Sequence, residues 1–135
     1  MTMQYWLAVA AYVLPTFPLG YFWHLKTFKA QYDSLGLFRP DVIIPMGLTS
    51  MILQGLIFAY VYPHLFSTAR ADWLTSAAQF FVVIGGLAWS FIVLPVAAKY
   101  NMASVSKFIA LETAFTVVQY AVSAPLIALA WRGAV

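Results

Sequence analysis

Glu112 is the one acidic side chain inside any of the four long apolar stretches that make up most of this chain. A carboxylate at membrane depth costs from about 3 to about 10 kcal/mol, so such residues face a bundle interior and often mark function. The residues that share its face have types suited to hydrogen bonding. Glu112, Thr116, Gln119 and Ser123 recur at steps of four, three and four, which is one side of a helix. Similar sparse stripes run along the other stretches. They are Gly47, Ser50, Gln54 and Phe58 in the second, Gln79, Gly86 and Ser90 in the third, and Tyr12, Thr16 and Trp23 in the first. Small residues let membrane helices approach, and polar groups bond across the contact.

Counting residues from the stretch ends gives depth. Ser50 lies eight residues from Val42, Ser90 eight from Ala98, Thr16 eight from His24 and Glu112 eight from Ser104. At 1.5 Å per residue all four sit about 12 Å below the same end. The expectation is one polar layer in which Glu112 accepts hydrogen bonds from Thr16, Ser50 and Ser90, with Gln54 and Gln119 next to it near the midplane. Gln54, Gln79 and Gln119 are also explained by packing alone. Glu112 has two readings: a protonated carboxyl hydrogen-bonded inside the bundle, or a carboxylate paired with Lys107 or Lys99.

His24 and His64 are the only histidines; each follows its own stretch, and because successive spans run in opposite directions they lie a membrane thickness apart. They cannot jointly hold one haem or metal within a protomer. His24, beside Trp23 and Lys26, reads as an interfacial anchor, and His64 as a solvated loop residue. The chain has no cysteine, which removes disulfides, thiolate metal sites and thiol redox chemistry. No phosphate loop, nucleophile elbow, His-Glu-x-x-His or Cys-x-x-Cys occurs. No cofactor is expected; a bound lipid or pigment fits the aromatic content of 11 Phe, 8 Tyr and 5 Trp.

The elements that must carry these residues follow from composition. The 135 residues are 64% hydrophobic and 8% charged, against about 45–50% and about 25% in an ordinary soluble domain. A soluble fold of this size cannot hide that much apolar surface, so the excess faces lipid. The spacing predicts a single integral membrane domain over residues 1–135, an all-α bundle of four membrane helices, with spans at about 5–23, 42–62, 73–98 and 104–131. Pro63 is expected to stop the second span. Pro15, Pro18, Pro95 and Pro125 fall inside spans and shape them by kinking. Between the first two spans, Leu25, Phe28, Tyr32 and Leu35 recur at helical spacing and Gly36 is placed to end a helix. That segment reads as an extension of span one or a short interfacial helix.

The net charge of +3 rests on few residues and describes topology, not nucleic-acid binding. Five of the seven basic residues (Lys26, Lys29, Arg39, Lys99 and Lys107) lie in the first and third loops, against Arg70 and Arg132 elsewhere. The positive-inside rule then puts loops one and three in the cytoplasm and both termini outside. The N-terminal segment lacks a basic region and a clear cleavage site, and reads as the start of a retained span.

The stretch from Gly20 to Phe28, then Tyr32, Leu35-Gly36 and Ile44-Pro45-Met46-Gly47, resembles uncharacterised bacterial families of small four-span membrane proteins; the Lys99 to Phe115 region is similar in layout. The resemblance implies a bacterial inner-membrane location and carries no functional residue. Three function classes remain. The first is a non-catalytic subunit or accessory factor of a larger membrane assembly, since the loops leave little soluble surface. The second is a small transporter or ligand-binding bundle around Glu112, working as a homo-oligomer because four helices enclose little volume. The third is a membrane enzyme acting on a lipid-soluble substrate.

Overall fold

The computed structural model describes residues 1–134, and the chain is all-helical. The segments are α1 (Met3–Phe22), a π turn (Trp23–Thr27), α2 (Lys29–Leu35), α3 (Ile44–Leu65), α4 (Trp73–Phe80), a second π turn (Phe81–Gly85), α5 (Gly86–Lys99) and α6 (Val105–Trp131). Four continuous helices are long and apolar enough to cross a bilayer: Met3–Thr27, Ile44–Leu65, Trp73–Lys99 and Val105–Trp131. At 1.5 Å per residue each exceeds the roughly 30 Å hydrocarbon core. This is a multi-pass membrane bundle.

Local chemistry sets the ends. Thr2 accepts the Tyr5 backbone N–H at 3.3 Å and Ser104 accepts that of Lys107 at 3.2 Å, so both hydroxyls cap helix starts. Pro45 occupies the first turn of α3, where its missing N–H costs nothing. Gly36 ends α2 at φ 68°, the left-handed conformation expected there. Pro63 does not stop the second span. It lies in the last turn of α3, which continues to Leu65 before Phe66 turns extended. Tyr62 and Phe66 are both buried, and their packing on Phe80 at 5.6 Å carries the helix through the proline.

α6 is the centre of the bundle and packs on α1, α4, α5 and α3, while α1 also packs along α3. The α1–α3 seam is tight because Gly55 faces α1. A Cβ built there lies 2.9 Å from Val13 Cγ2 and 3.5 Å from the Val9 carbonyl. Near the termini Phe58, Tyr62, Phe66 and Phe80 join α3 to α4 through edge and tilted ring contacts. One core cluster surrounds them. A second, smaller cluster holds Tyr32, Leu35, Val93 and Phe108 at the opposite end, where α2 folds across α5 and α6. The Ala103 N–H donates to the Leu35 carbonyl at 3.0 Å and Lys107 Nζ donates to Ser34 Oγ at 2.8 Å, which pins the first and third loops together. The termini and the 66–72 loop share the other end, tied by Gly133 N–H to the Thr68 carbonyl at 2.7 Å.

Two of the stripes face differently from the expectation. On the third span Gln79 and Gly86 are exposed, and the inward positions are Ser76, Ala77, Phe80, Ile84 and Gly85, then Val93. The π turn is one reason. It inserts about one extra residue, which rotates everything beyond it by roughly 100° relative to a straight helix. On α3, Gly47 and Ser50 are exposed, and the packed positions are Gly55, Ala59 and Tyr62.

Candidate functional site

The site grows out of the first π turn. In α1 the buried positions Ala8, Tyr12, Thr16 and Gly20 recur every four residues. His24 is the next step on that stripe, and the helix continues to Thr27, so His24 lies inside the span. Its Nδ1 stands 2.9 Å from the Gly20 carbonyl, which can only accept, so Nδ1 carries a proton and donates. Its Nε2 stands 2.9 Å from Glu112 Oε1. One proton lies between those two atoms. The pair is an imidazolium with a carboxylate or an imidazole with a carboxylic acid. The side chains are 20% and 12% exposed, so water screens the pair little.

Tyr32 completes the cluster. Its hydroxyl donates to the same Glu112 Oε1 at 2.5 Å and accepts from Trp23 Nε1 at 3.2 Å. Trp23 and His24 are neighbours in sequence, and both are drawn to this cluster from the widened turn. Phe115 packs edge-on against His24 at 4.5 Å and Phe38 stacks on Tyr32 at 4.9 Å, which fixes both rings. Burial pushes the Tyr32 hydroxyl well above its usual range, and the hydrogen bond to Glu112 adds to the shift. A folded value above the unfolded one gives a contribution fully present below about pH 10 and lost as pH rises further. Thermal midpoints in detergent are therefore expected to fall more steeply above pH 10 in the parent protein than in Tyr32→Phe. Parallel curves in that range overturn this.

His24 is therefore a partly buried partner of Glu112, not an interfacial anchor. Neither expected lysine holds Glu112, since Lys107 bonds Ser34 instead. The expected hydroxyl layer does not assemble around the carboxyl. Thr16 Oγ1 donates to the Tyr12 carbonyl at 2.6 Å, Ser90 Oγ donates to the Leu87 carbonyl at 2.9 Å and Ser50 Oγ accepts from Gln54 Nε2 at 2.9 Å. Each of these bonds lies within its own helix. Thr16 and Ser90 bond back because the carbonyls of their own helix are always within reach.

Gln54 and Gln119 do meet, through Tyr12. The Tyr12 hydroxyl donates to Gln54 Oε1 at 2.5 Å and accepts from Gln119 Nε2 at 2.8 Å, tying α1, α3 and α6. Tyr12→Phe leaves both amides short of a partner and is expected to cost about 1–2 kcal/mol in a detergent unfolding titration. An unchanged midpoint contradicts the network.

Two clefts flank the cluster. α3 and α5 do not close on one another, and between them and α6 lies a cleft of about 430 Å³ whose polar lining is Glu112, Thr116, Gln54 and Gln119. Ile84, Phe91 and Ile92 supply part of its apolar wall. Glu112 Oε1 takes both His24 and Tyr32; Oε2 has no hydrogen-bond partner among the described residues. The second cleft, about 690 Å³, lies between α1, α3 and the 37–43 segment, with His24 in its wall and Arg39 at its rim. Among the described residues no group of three or more His, Cys, Asp or Glu side chains could hold a metal ion.

Comparison with protein-family models, curated proteins and solved structures gives no match for this chain. The fold and the site define a multi-pass helical membrane bundle with a His–Glu–Tyr cluster between two clefts.

Proposed function

We propose that the chain is a ligand-binding bundle of the small-transporter kind, taking a lipid-soluble molecule whose hydrogen-bond donor reaches Glu112. One observation carries this reading: Glu112 is held through Oε1 by His24 and Tyr32, and its other oxygen is unpartnered on a residue that lines an apolar cleft with Gln54 and Gln119. A cleft of this size with few convergent polar groups has the form of a small-molecule site. A protonated amine is the natural occupant, because hydrogen bonds to a charged partner are worth about 1.5–3 kcal/mol.

The test uses a fluorescent long-chain primary alkylamine and the purified protein in nanodiscs. Saturable binding is expected, weakened about 10-fold or more by Glu112→Gln, which keeps the side chain's size. Equal binding by Glu112→Gln removes the reading.

The accessory-subunit reading draws on α3, of which only 11% of the apolar window is buried within the bundle. Ile52, Leu53, Ile57 and Tyr60 form an outer face that a partner subunit, a second copy or lipid can cover. Native mass spectrometry of gently solubilised membranes separates these occupants: a larger hetero-complex favours the subunit reading, and a lone monomer or homo-oligomer favours the binding bundle. The proposed setting is the bacterial inner membrane, on the strength of the sequence resemblance. The proposed orientation has both termini outside, supported by the five basic residues that gather at the His24 end.

A further inference from the structure

We infer that the larger cleft is a site for one anionic membrane lipid, its headgroup at Arg39 and Lys26 and its acyl chain along α1 and α3. This is separate from the alkylamine site at Glu112.

The shape comes first. The wall from the first span runs from Phe17 to His24 and the α3 wall from Ile44 to Met51, eight residues each, whose ends are about 10 Å apart along the helix. One leaflet of hydrocarbon is about 15 Å deep. The cleft thus runs from the loop end through most of a leaflet, which is the path of an acyl chain. Its polar and apolar parts are ordered the same way. Arg39 stands at the loop end, and the deep end is lined by Phe17, Ser50 and Met51.

Charge selects the headgroup. Arg39 forms a two-pronged pair with Asp41, both bonds at 3.0 Å, but the side chains are 58% and 76% exposed. Such an exposed pair is weak, and Arg39 can exchange Asp41 for a phosphate of matching geometry. Lys26 lies over the Tyr21 ring at 5.9 Å, and Tyr21 lines the same cleft. This end of the bundle carries Lys26, Lys29, Arg39, Lys99 and Lys107 against Asp33 and Asp41. Basic residues near a membrane surface favour anionic lipid.

Gly47 provides a clean block. It lines the cleft, and a Cβ built there meets nothing within 4 Å, so a side chain can start there without a backbone clash. The experiment is native mass spectrometry of the protein released from nanodiscs of equal parts phosphatidylglycerol and phosphatidylcholine. The parent protein is expected to retain one phosphatidylglycerol in preference to phosphatidylcholine. The preference should fall roughly fivefold for each cation removed in Arg39→Gln and Lys26→Gln. Gly47→Leu should lose the retained lipid while eluting and melting like the parent. Equal retention of the two lipids by the parent overturns the headgroup assignment. Undiminished retention by Gly47→Leu overturns the cleft as the site.

Discussion

Glu112→Ala is expected to destabilise the bundle by about 3 kcal/mol. The carboxyl serves two partners at once; Tyr32 is buried, and His24 and Glu112 are largely shielded from solvent. Its removal leaves His24 Nε2 and the Tyr32 hydroxyl without their partner in a region with little water, and stranded polar groups cost more than the bond itself was worth. Glu112→Gln keeps an amide oxygen for Tyr32, so its cost should be smaller. Pairing Glu112→Ala with His24→Phe tests the cause directly. The double variant should be more stable than Glu112→Ala alone, because no imidazole is then left without its partner. Denaturant titration in micelles measures all three. A loss near 0.6 kcal/mol for Glu112→Ala, the average for a polar contact between membrane helices, contradicts the cluster described here.

Gly55→Leu is expected to cost about 1–3 kcal/mol by overpacking the seam between α1 and α3. Even the first added carbon lies 2.9 Å from Val13 Cγ2, with Tyr12 Cδ1 and the Val9 carbonyl each at 3.5 Å behind it. Val13 can yield by a rotamer, but the backbone carbonyl of Val9 cannot. The helices must part, and the Tyr12–Gln54 bond that bridges the same seam lengthens with them. Gly55→Ala should cost less. Gly47→Ala, on the same helix but over open space, should cost nothing. Thermal midpoints and near-ultraviolet dichroism of the three variants decide the matter. Equal behaviour of Gly47→Ala and Gly55→Ala is incompatible with a tight seam.

The four spans were legible because lipid imposes one requirement over a long window: every residue of a spanning helix contributes to hydrophobicity, and errors at single positions average out. Gly36 as a helix end was legible because it depends on one residue's backbone freedom. The interior faces were less so. In a membrane both sides of a helix are apolar, so a stripe of Ser, Gln or Gly does not distinguish inward from outward as it does in water. The exposed Gln79 and Gly86, the back-bonded Thr16 and Ser90, and Ser50, which bonds Gln54 on its own helix, show this. Counting depth from span ends also failed for His24. The first helix runs four residues past the expected end, which turns an end residue into an interior one. A signal for it was present, since His24 continues the four-residue rhythm of Tyr12, Thr16 and Gly20.

The sequence by itself determined that this is a helical membrane bundle with a costly carboxyl at Glu112, because composition and burial cost are properties of residues one at a time. Only the tertiary structure decided what that carboxyl meets. Glu112 and His24 are 88 positions apart, and Tyr32 reaches them from a short helix folded across the bundle end. Their meeting depends on the π turn at Trp23–Thr27 and the docking of one loop on another. Local periodicity could place His24 on the inward face, but which residues it meets there is a long-range packing choice.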